Sequence, residues 1–207
     1  MDGKADFGGA IYASGSTLIL NDCNFSNNIA TTNGGAFYLS QSTTLTATNC
    51  KFFNNKATAQ YNPYGGAFYV TSSTLNFISC TFDKNEAAYG SAVYAMGSDF
   101  SAKNSNFTYN KGQQVGALYL YSSNVFIDNC LFENNTSKVS SLNSGSSAAI
   151  ALVNCPTTIA NTKFKGNLVD AEYCGFAGAL SNSNTHPVYI YNSTFDSNKV
   201  KATSSGY

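Results

Sequence analysis

Apolar and polar residues alternate over short stretches, and the same alternation returns along the whole chain. One copy reads GGAFYV at residues 65–70 and is followed by FDKN at residues 82–85. Apolar side chains at every second position predict a strand with one buried face. Helices would show apolar residues three and four apart. The pattern therefore predicts a protein built from short strands.

Two positions mark each of seven copies of this repeat. The first is an alanine, at Ala10, Ala36, Ala67, Ala92, Ala117, Ala149 and Ala179. The second is the phenylalanine of an F-x-x-N motif, at Phe25, Phe52, Phe82, Phe107, Phe132, Phe164 and Phe195. Alanine and phenylalanine are always 15 or 16 residues apart, whereas 10 to 17 residues separate each phenylalanine from the next alanine. A nearly fixed period with variation at one point indicates a repeat fold with insertions at one corner.

Each copy contains three strands when its residues are aligned on these two anchors. Apolar residues stand one and three after the alanine, as Phe68 and Val70 do, and seven and five before the phenylalanine, as Leu75 and Phe77 do. The third strand holds the phenylalanine itself. Corners are predicted at the F-x-x-N asparagine and three residues before the phenylalanine, where Asn, Asp or Ser always stands and tolerates a left-handed backbone.

Three strands and three corners per 25 to 32 residues form one coil of a parallel β-helix. We predict an all-β fold, a right-handed parallel β-helix of seven coils with three short strands each. The continuous repeat predicts a single domain over residues 1–207. Because a solenoid needs distinct caps at its ends, and none is recognisable, we expect a segment of a larger protein.

The variable segments 54–64, 134–146 and 166–176 all follow an F-x-x-N motif. They are therefore predicted to leave from the same corner and to line one edge of the solenoid. Loops on one edge of a repeat protein commonly form its binding surface.

The paired motifs resemble those of a known family. GGAIY with FSNN, GGAFY with FFNN, GGAFY with FDKN, SAVY with FTYN and GALY with FENN are similar to the GGA[ILV] and FxxN repeats of chlamydial polymorphic outer membrane proteins. The resemblance implies a right-handed β-helix of the pectin-lyase-like fold with a role in adhesion. It also implies an extracellular or cell-surface location.

Charge and hydropathy limit the classes of partner that the chain could bind. Eleven acidic residues balance eleven lysines, and the sequence contains no arginine. The chain therefore lacks the basic patch that nucleic acids or anionic membranes require. No apolar run approaches the roughly 20 residues of a membrane helix, so we predict no direct membrane insertion. A protein or glycan, at a cell surface or within an assembly, is the predicted partner.

A row of tyrosines is the main candidate binding site. It stands two residues after the alanine in the first five copies and comprises Tyr12, Tyr38, Tyr69, Tyr94 and Tyr119, which we call the tyrosine row. Alternation turns it outward, opposite the apolar column. Two interpretations are open: an aromatic surface for sugars or a partner protein, or self-stacking that stabilises the sheet.

Four cysteines share one inward column with serine and threonine: Cys23, Cys50, Cys80 and Cys130. A metal needs side chains that converge, whereas a column presents them side by side, so we predict buried packing over a metal site, redox chemistry or a stacked disulfide. Cys155 and Cys174 lie outside this column in turns, and a disulfide between them is an open alternative.

A catalytic site is the third possibility, because many parallel β-helices degrade polysaccharides. Pectin-lyase-like enzymes usually abstract a proton with an arginine, and this sequence has none. Glycosidases need two carboxylates close together. Asp83 and Glu133 are two coils, or about 9.6 Å, apart, which is just outside the spacing of glycosidase carboxylates. Glu133, Lys165 and Asp196 alternate in sign as a surface charge ladder would. His186, the only histidine, precedes a proline and is predicted to be a turn residue.

We therefore predict no catalytic residue and no metal site, and consider the chain not to be an enzyme. The sequence has no P-loop, G-x-G-x-x-G or H-E-x-x-H motif, and no cofactor is predicted. A pectin-lyase-like polysaccharide-active enzyme or a carbohydrate-binding module is the alternative. Five sequons would permit N-glycosylation in a eukaryotic secretory route: Asn24, Asn106, Asn134, Asn135 and Asn192.

Overall fold

The computed structural model describes residues 4–139, 145–172 and 174–202, and its regular elements there are all parallel β-strands. The three strands predicted for each coil form three seven-stranded sheets. Sheet 1 contains Ile11–Ser14, Phe37–Ser40, Phe68–Thr71, Val93–Met96, Leu118–Tyr121, Ile150–Val153 and Leu180–Ser183. Sheet 2 contains Thr17–Asn21, Thr44–Thr48, Thr74–Ile78, Asp99–Lys103, Asn124–Asp128, Thr157–Ala160 and Val188–Tyr191. Sheet 3 contains Asn24–Ser26, Lys51–Phe53, Thr81–Asp83, Asn106–Thr108, Leu131–Glu133, Lys163–Lys165 and Thr194–Asp196.

A further sheet, which the sequence pattern did not predict, follows each F-x-x-N motif. Sheet 4 contains Lys4–Phe7, Ile29–Asn33, Lys56–Ala57, Glu86–Ala87, Lys111–Gly112, Thr136–Val139, Leu168–Ala171 and Lys199–Ala202. Its shortest strands have only two residues, too few to show alternation. Gly145–Ser147 and Gly175–Ala177 form a small additional pair.

The core is a set of stacked columns that run along the solenoid. Equivalent residues pair in register from coil to coil, as Phe82 pairs with Phe52 and Phe107. The rings of Phe82 and Phe107 stack at 4.6 Å, and those of Phe107 and Phe132 at 4.7 Å. All of these phenylalanines are fully buried. The inward direction predicted for the F-x-x-N phenylalanine is therefore confirmed in the middle coils.

The predicted corner between sheets 2 and 3 is confirmed in every coil. All seven residues there have a left-handed backbone, with φ between 42° and 55°: Asp22, Asn49, Ser79, Asn104, Asn129, Asn161 and Asn192. Asn, Asp and Ser suit this position because their short polar side chains bond to the local backbone.

The F-x-x-N asparagine has a different role from the one predicted. The residue before it takes the left-handed turn, as Lys84 does with φ 55° before Asn85, and the asparagine side chain points inward. Asn28, Asn55, Asn85, Asn110, Asn135 and Asn167 are all buried. Each donates its carboxamide to the next asparagine, for example from Asn85 Nδ2 to Asn110 Oδ1 at 3.0 Å. We call this column the asparagine ladder.

The glycine pair of the repeat forms the corner between sheets 4 and 1. Gly65 has a φ of 65°, which glycine adopts without strain. A Cβ atom on Gly66 would collide with the backbone of Glu86 and with the carbonyl oxygen of Ser91. The motif is therefore required by backbone geometry and close coil contact.

The insertions lie at one edge, as predicted, but one strand later than predicted. The first follows Lys56–Ala57 of sheet 4 and leads to the glycine corner before sheet 1. The others follow Thr136–Val139 and Leu168–Ala171. Residues 140–144 and 173 of these segments lie outside the described part of the chain. That part contains no helix with the length and apolarity that a membrane crossing requires.

Candidate functional site

The tyrosine row is present as a continuous stack on the outer face of sheet 1. Successive ring centroids lie 5.1, 4.9, 5.3 and 5.4 Å apart, and the interplanar angles are 6°, 24°, 1° and 9°. The register of sheet 1 produces this spacing, because each tyrosine pairs with its equivalent on the next coil. The stack ends where Tyr119 pairs with Ala151.

This stacking decides which part of each ring a partner could touch. Neighbouring rings cover one another's faces, so the edges and hydroxyl groups form the outer strip. Tyr12, at the end of the stack, is 60% exposed, while the other four are half-buried. Within the described residues, the hydroxyl groups of the row donate no hydrogen bond to protein atoms. The strip therefore offers a line of phenol donors and acceptors at coil spacing.

Two further tyrosines, which the sequence analysis missed, pack over this row. Tyr64 contacts Tyr94 at 4.6 Å and Tyr89 at 5.2 Å, while Tyr89 meets Tyr119 edge-on at 5.7 Å. Both stand three residues before the repeat alanine, a position that also holds Phe7 and Phe176. That aromatic column was the signal that could have found them. They cover the row from Tyr69 to its Tyr119 end. Phe7 meets Tyr38 edge-on at 5.1 Å, and Tyr12 remains the exposed ring of the row.

Four phenols of the row have raised pKa values and stay protonated well into alkaline conditions: Tyr38, Tyr69, Tyr94 and Tyr119. Burial raises the pKa of Tyr94, and the neighbouring Tyr69 and Tyr119 raise it further. Burial likewise raises the pKa values of Tyr38, Tyr69 and Tyr119. These four hydroxyl groups therefore keep their protons for donation at neutral pH.

The cysteine column is packing, as predicted. Cys50, Cys80 and Cys130 are buried, and Cys80 Sγ contacts the carbonyl oxygens of Ala47 and Ile78 at 3.3 and 3.4 Å. Burial raises the pKa values of both Cys80 and Cys130 to about 11, so these thiols are poor nucleophiles.

Cys155 and Cys174 are both free thiols in this structure, like the other four cysteines. Cys155 is buried at the corner between sheets 1 and 2, where its Sγ donates to the carbonyl oxygens of Leu120 and Val153 at 3.2 Å. Cys174 is exposed. The pairing considered from the sequence is therefore not formed here.

The two acidic side chains of sheet 3 that were weighed as catalytic groups, Asp83 and Glu133, are both bonded to residues of the next coil. Asp83 accepts a hydrogen bond from Thr108 at 2.9 Å, and Glu133 forms an ion pair with Lys165 at 3.1 Å. The ion pair raises the pKa of Lys165. Of the predicted charge ladder, the Glu133–Lys165 pair is formed, whereas Asp196, next to Lys165 in the register, accepts a hydrogen bond from Ser197.

His186 is exposed in a bend between sheets 1 and 2, as predicted for a turn residue. Among the described residues, no group of three His, Cys, Asp or Glu side chains is placed to hold a metal ion.

The sequons differ in accessibility. Asn24, Asn106 and Asn192 are exposed, and Asn134 is half-buried. Asn135, in contrast, is a fully buried member of the asparagine ladder, and its Nδ2 donates to the carbonyl oxygen of Phe107 and to Asn167. The candidate glycosylation site at Asn135 is therefore inaccessible in the folded chain, because its carboxamide protons are both used in the core.

Comparison with known proteins identifies the family. The family described as "Right handed beta helix region" matches residues 3–107 and 58–207, which together cover nearly the whole chain. The chain belongs to the right-handed β-helix family. This match confirms the right-handed winding and the predicted fold class. Because right-handed β-helices occur in enzymes and non-enzymes alike, membership of the family assigns no reaction to the chain.

A curated relative extends this comparison. The chain is similar to the "Metabotropic glutamate receptor-like protein R" of Dictyostelium discoideum, with 33% identity over 194 residues. These residues are 92% of this β-helix chain but only 11% of the relative. The chain thus spans about a ninth of that protein's length. No solved structure matches the chain significantly.

Proposed function

We propose that this chain is an extracellular or cell-surface β-helix segment with a structural and adhesive role, and that it binds a protein or glycan partner through the tyrosine row and the adjoining corner loops. The observation that carries the proposal is the outer strip of phenol edges, whose hydroxyl groups have no partner among the described residues. Tyrosine supplies a large contact area at low entropic cost.

Three further observations support this role. A stack of fixed coils is rigid and presents its outer groups at a constant spacing. The repeats resemble those of chlamydial polymorphic outer membrane proteins, a family associated with adhesion. The name of the Dictyostelium relative describes a receptor-like protein, which is consistent with a surface location.

The stacking geometry also bears on how a partner would bind. Because the inner ring faces contact one another, a sugar could stack only on an exposed end ring such as Tyr12. Along the rest of the row, contact would be made through the hydroxyl groups and ring edges. We therefore expect the row to recognise an extended polar partner rather than a single stacked sugar ring.

Replacing tyrosine by phenylalanine separates binding from scaffolding. Phenylalanine at the four half-buried positions of the row keeps the stack and removes the hydroxyl groups. The same change at Tyr61 and Tyr109, which are exposed outside the row, is the matched control. Binding is measured on immobilised polysaccharides and on intact cultured cells, and stability by urea unfolding. We expect the row variant to unfold like the parent and to lose binding; unchanged binding would reduce the row to a scaffold.

We further propose that the segment is not an enzyme. The engagement of Asp83 and Glu133 with Thr108 and Lys165 supports this. The test is release of reducing ends from acidic polysaccharides by the purified chain. Activity that Asp83→Asn or Glu133→Gln abolishes would instead favour the pectin-lyase-like alternative.

A further inference from the structure

A groove on the outer face of sheet 4 is lined by three lysines and lies apart from the tyrosine row. Its volume is about 660 Å³, and its lining includes Lys56, Lys111, Lys138 and Glu86. Pockets of this size hold small ligands or a few units of a polymer. With three lysines and one glutamate among these residues, the lining carries more positive than negative charge, although the total charge of the chain is zero.

The charges within the groove are only partly neutralised. Lys56 forms an ion pair with Glu86 at 2.9 Å. Lys111 and Lys138 are exposed, and no described carboxylate lies within 4 Å of their ammonium groups. Glu86 is also the neighbour of Lys111 on the adjacent coil, and Asp170 is the neighbour of Lys138, but neither carboxylate forms an ion pair with that lysine. Asp170 does not line the groove. Two ammonium groups are thus free to meet an anionic ligand.

The walls of the groove are held in place by hydrogen bonds. The carbonyl oxygen of Pro63 accepts from the backbone amides of Ala88 and Tyr89 at 2.9 and 3.2 Å. On the other side, Ser137 Oγ donates to the carbonyl oxygens of Gln113 and Gln114 at 3.2 and 3.0 Å. A fixed site loses little entropy when a ligand binds.

The spacing of the lysines favours a polymer. Lys56, Lys111 and Lys138 belong to the second, fourth and fifth coils, so at about 4.8 Å per coil they span roughly 14 Å along the axis. One small anion could not contact all three across this span, whereas a chain with repeated acid groups could.

The remaining lining indicates which kind of polymer. Sheet 4 strands in the groove are hydrogen-bonded to neighbours on both sides, so they offer no free edge to a peptide. The described lining contains no aromatic side chain on which a nucleic acid base could stack. The carboxamides of Gln113 and Gln114 and the hydroxyl of Thr58 suit sugar hydroxyl groups. We propose that this groove binds a linear anionic glycan, whose carboxylate or sulfate groups contact Lys111 and Lys138.

The test measures binding of the whole chain to polygalacturonate, dextran sulfate, neutral dextran and poly-glutamate at low and high ionic strength. Lys111→Gln with Lys138→Gln is compared with the control pair Lys103→Gln and Lys163→Gln, which are exposed lysines of sheets 2 and 3. We expect the groove pair to weaken binding of at least one anionic glycan about tenfold and the control pair less than twofold. Whichever of the two anionic glycans binds identifies the acid group.

Glu86→Gln provides a test of opposite sign. It removes the one carboxylate of the described lining and releases Lys56. Binding should therefore tighten about threefold at low salt, and this gain should fade as salt screens the charges. Equal losses in the groove and control pairs, absence of binding to both anionic glycans, or equal binding of neutral dextran or poly-glutamate would overturn the proposal. None of these outcomes bears on the tyrosine row, which lies on another sheet.

Discussion

Asn85, in the middle of the asparagine ladder, provides the sharpest test of what holds the coils together. Its Nδ2 donates to the carbonyl oxygen of Phe52 at 2.9 Å and to Asn110 Oδ1 at 3.0 Å. Its Oδ1 accepts from the backbone N and the Nδ2 of Asn55, both at 3.0 Å. The residue is fully buried, so water does not compete for these bonds.

Asn85→Ala removes all four bonds at once. The amide and one Nδ2 proton of Asn55 and the carbonyl oxygen of Phe52 then lose this partner, whereas Asn110 Oδ1 still accepts from the backbone of residue 85. A buried group without a partner costs about 1 to 3 kcal/mol. The Phe52 carbonyl keeps its place in the parallel ladder of sheet 3, so only the two groups of Asn55 are left without a partner. Together they cost about 2 to 6 kcal/mol, and water entering the vacated space brings the loss toward the lower end. We therefore expect the free energy of unfolding to fall by at least about 2 kcal/mol.

The assay is equilibrium urea unfolding followed by far-UV circular dichroism, with the slope checked for a change in the surface exposed. The control is Asn124→Ala, which removes an exposed hydrogen bond of 2.7 Å to Asp99 on sheet 2 and should change stability by less than about 0.5 kcal/mol. A loss below about 1 kcal/mol for Asn85→Ala, or one equal to the control, would refute the view that the ladder stabilises the stack.

Two further predictions concern ionisation. Asn85→Asp places a carboxyl group in the ladder, and burial should raise its pKa above the unfolded value of about 3.9. The folded state then binds the proton more tightly than the unfolded state. In urea titrations this variant, unlike Asn85→Ala, should therefore lose stability as the pH rises above about 4. Burial raises the pKa of Cys130 from 9.0 to about 11. The thiol of the unfolded chain therefore ionises first, and the free energy of unfolding should fall between about pH 9 and 11. Cys130→Ser should make this fall with pH shallower. An identical pH slope in the parent and the serine variant would contradict the second prediction.

The sequence predicted well whatever depends on one residue and its immediate neighbours. Alternation within four or five residues identified the strands of sheets 1 and 2, and the repeated phenylalanine identified those of sheet 3. The residue type three before each phenylalanine identified a left-handed corner in all seven coils. Sheet 4 was missed because strands such as Glu86–Ala87 are too short to alternate. The insertions were consequently placed one strand too early.

In the candidate site, too, some features could be predicted from the repeat and others depend on contacts between coils. The outward direction and coil spacing of the tyrosine row followed from the repeat. Tyr64 and Tyr89 cover the row from Tyr69 to Tyr119, and this covering, like the contact between ring faces, depends on how one coil meets the next. The lysine groove likewise joins Lys111 and Lys138, which stand in different columns of the repeat.

By itself, then, the sequence determined that the chain forms stacked coils, where each coil bends and which columns face inward, because these depend on local periodicity and backbone preference. The tertiary structure alone decided that the F-x-x-N asparagines form a buried hydrogen-bonded column and that phenol edges, rather than ring faces, reach the surface. Both features arise between residues about one coil apart in sequence. Their geometry is set when backbone hydrogen bonds fix the register between coils, and no single repeat contains that information.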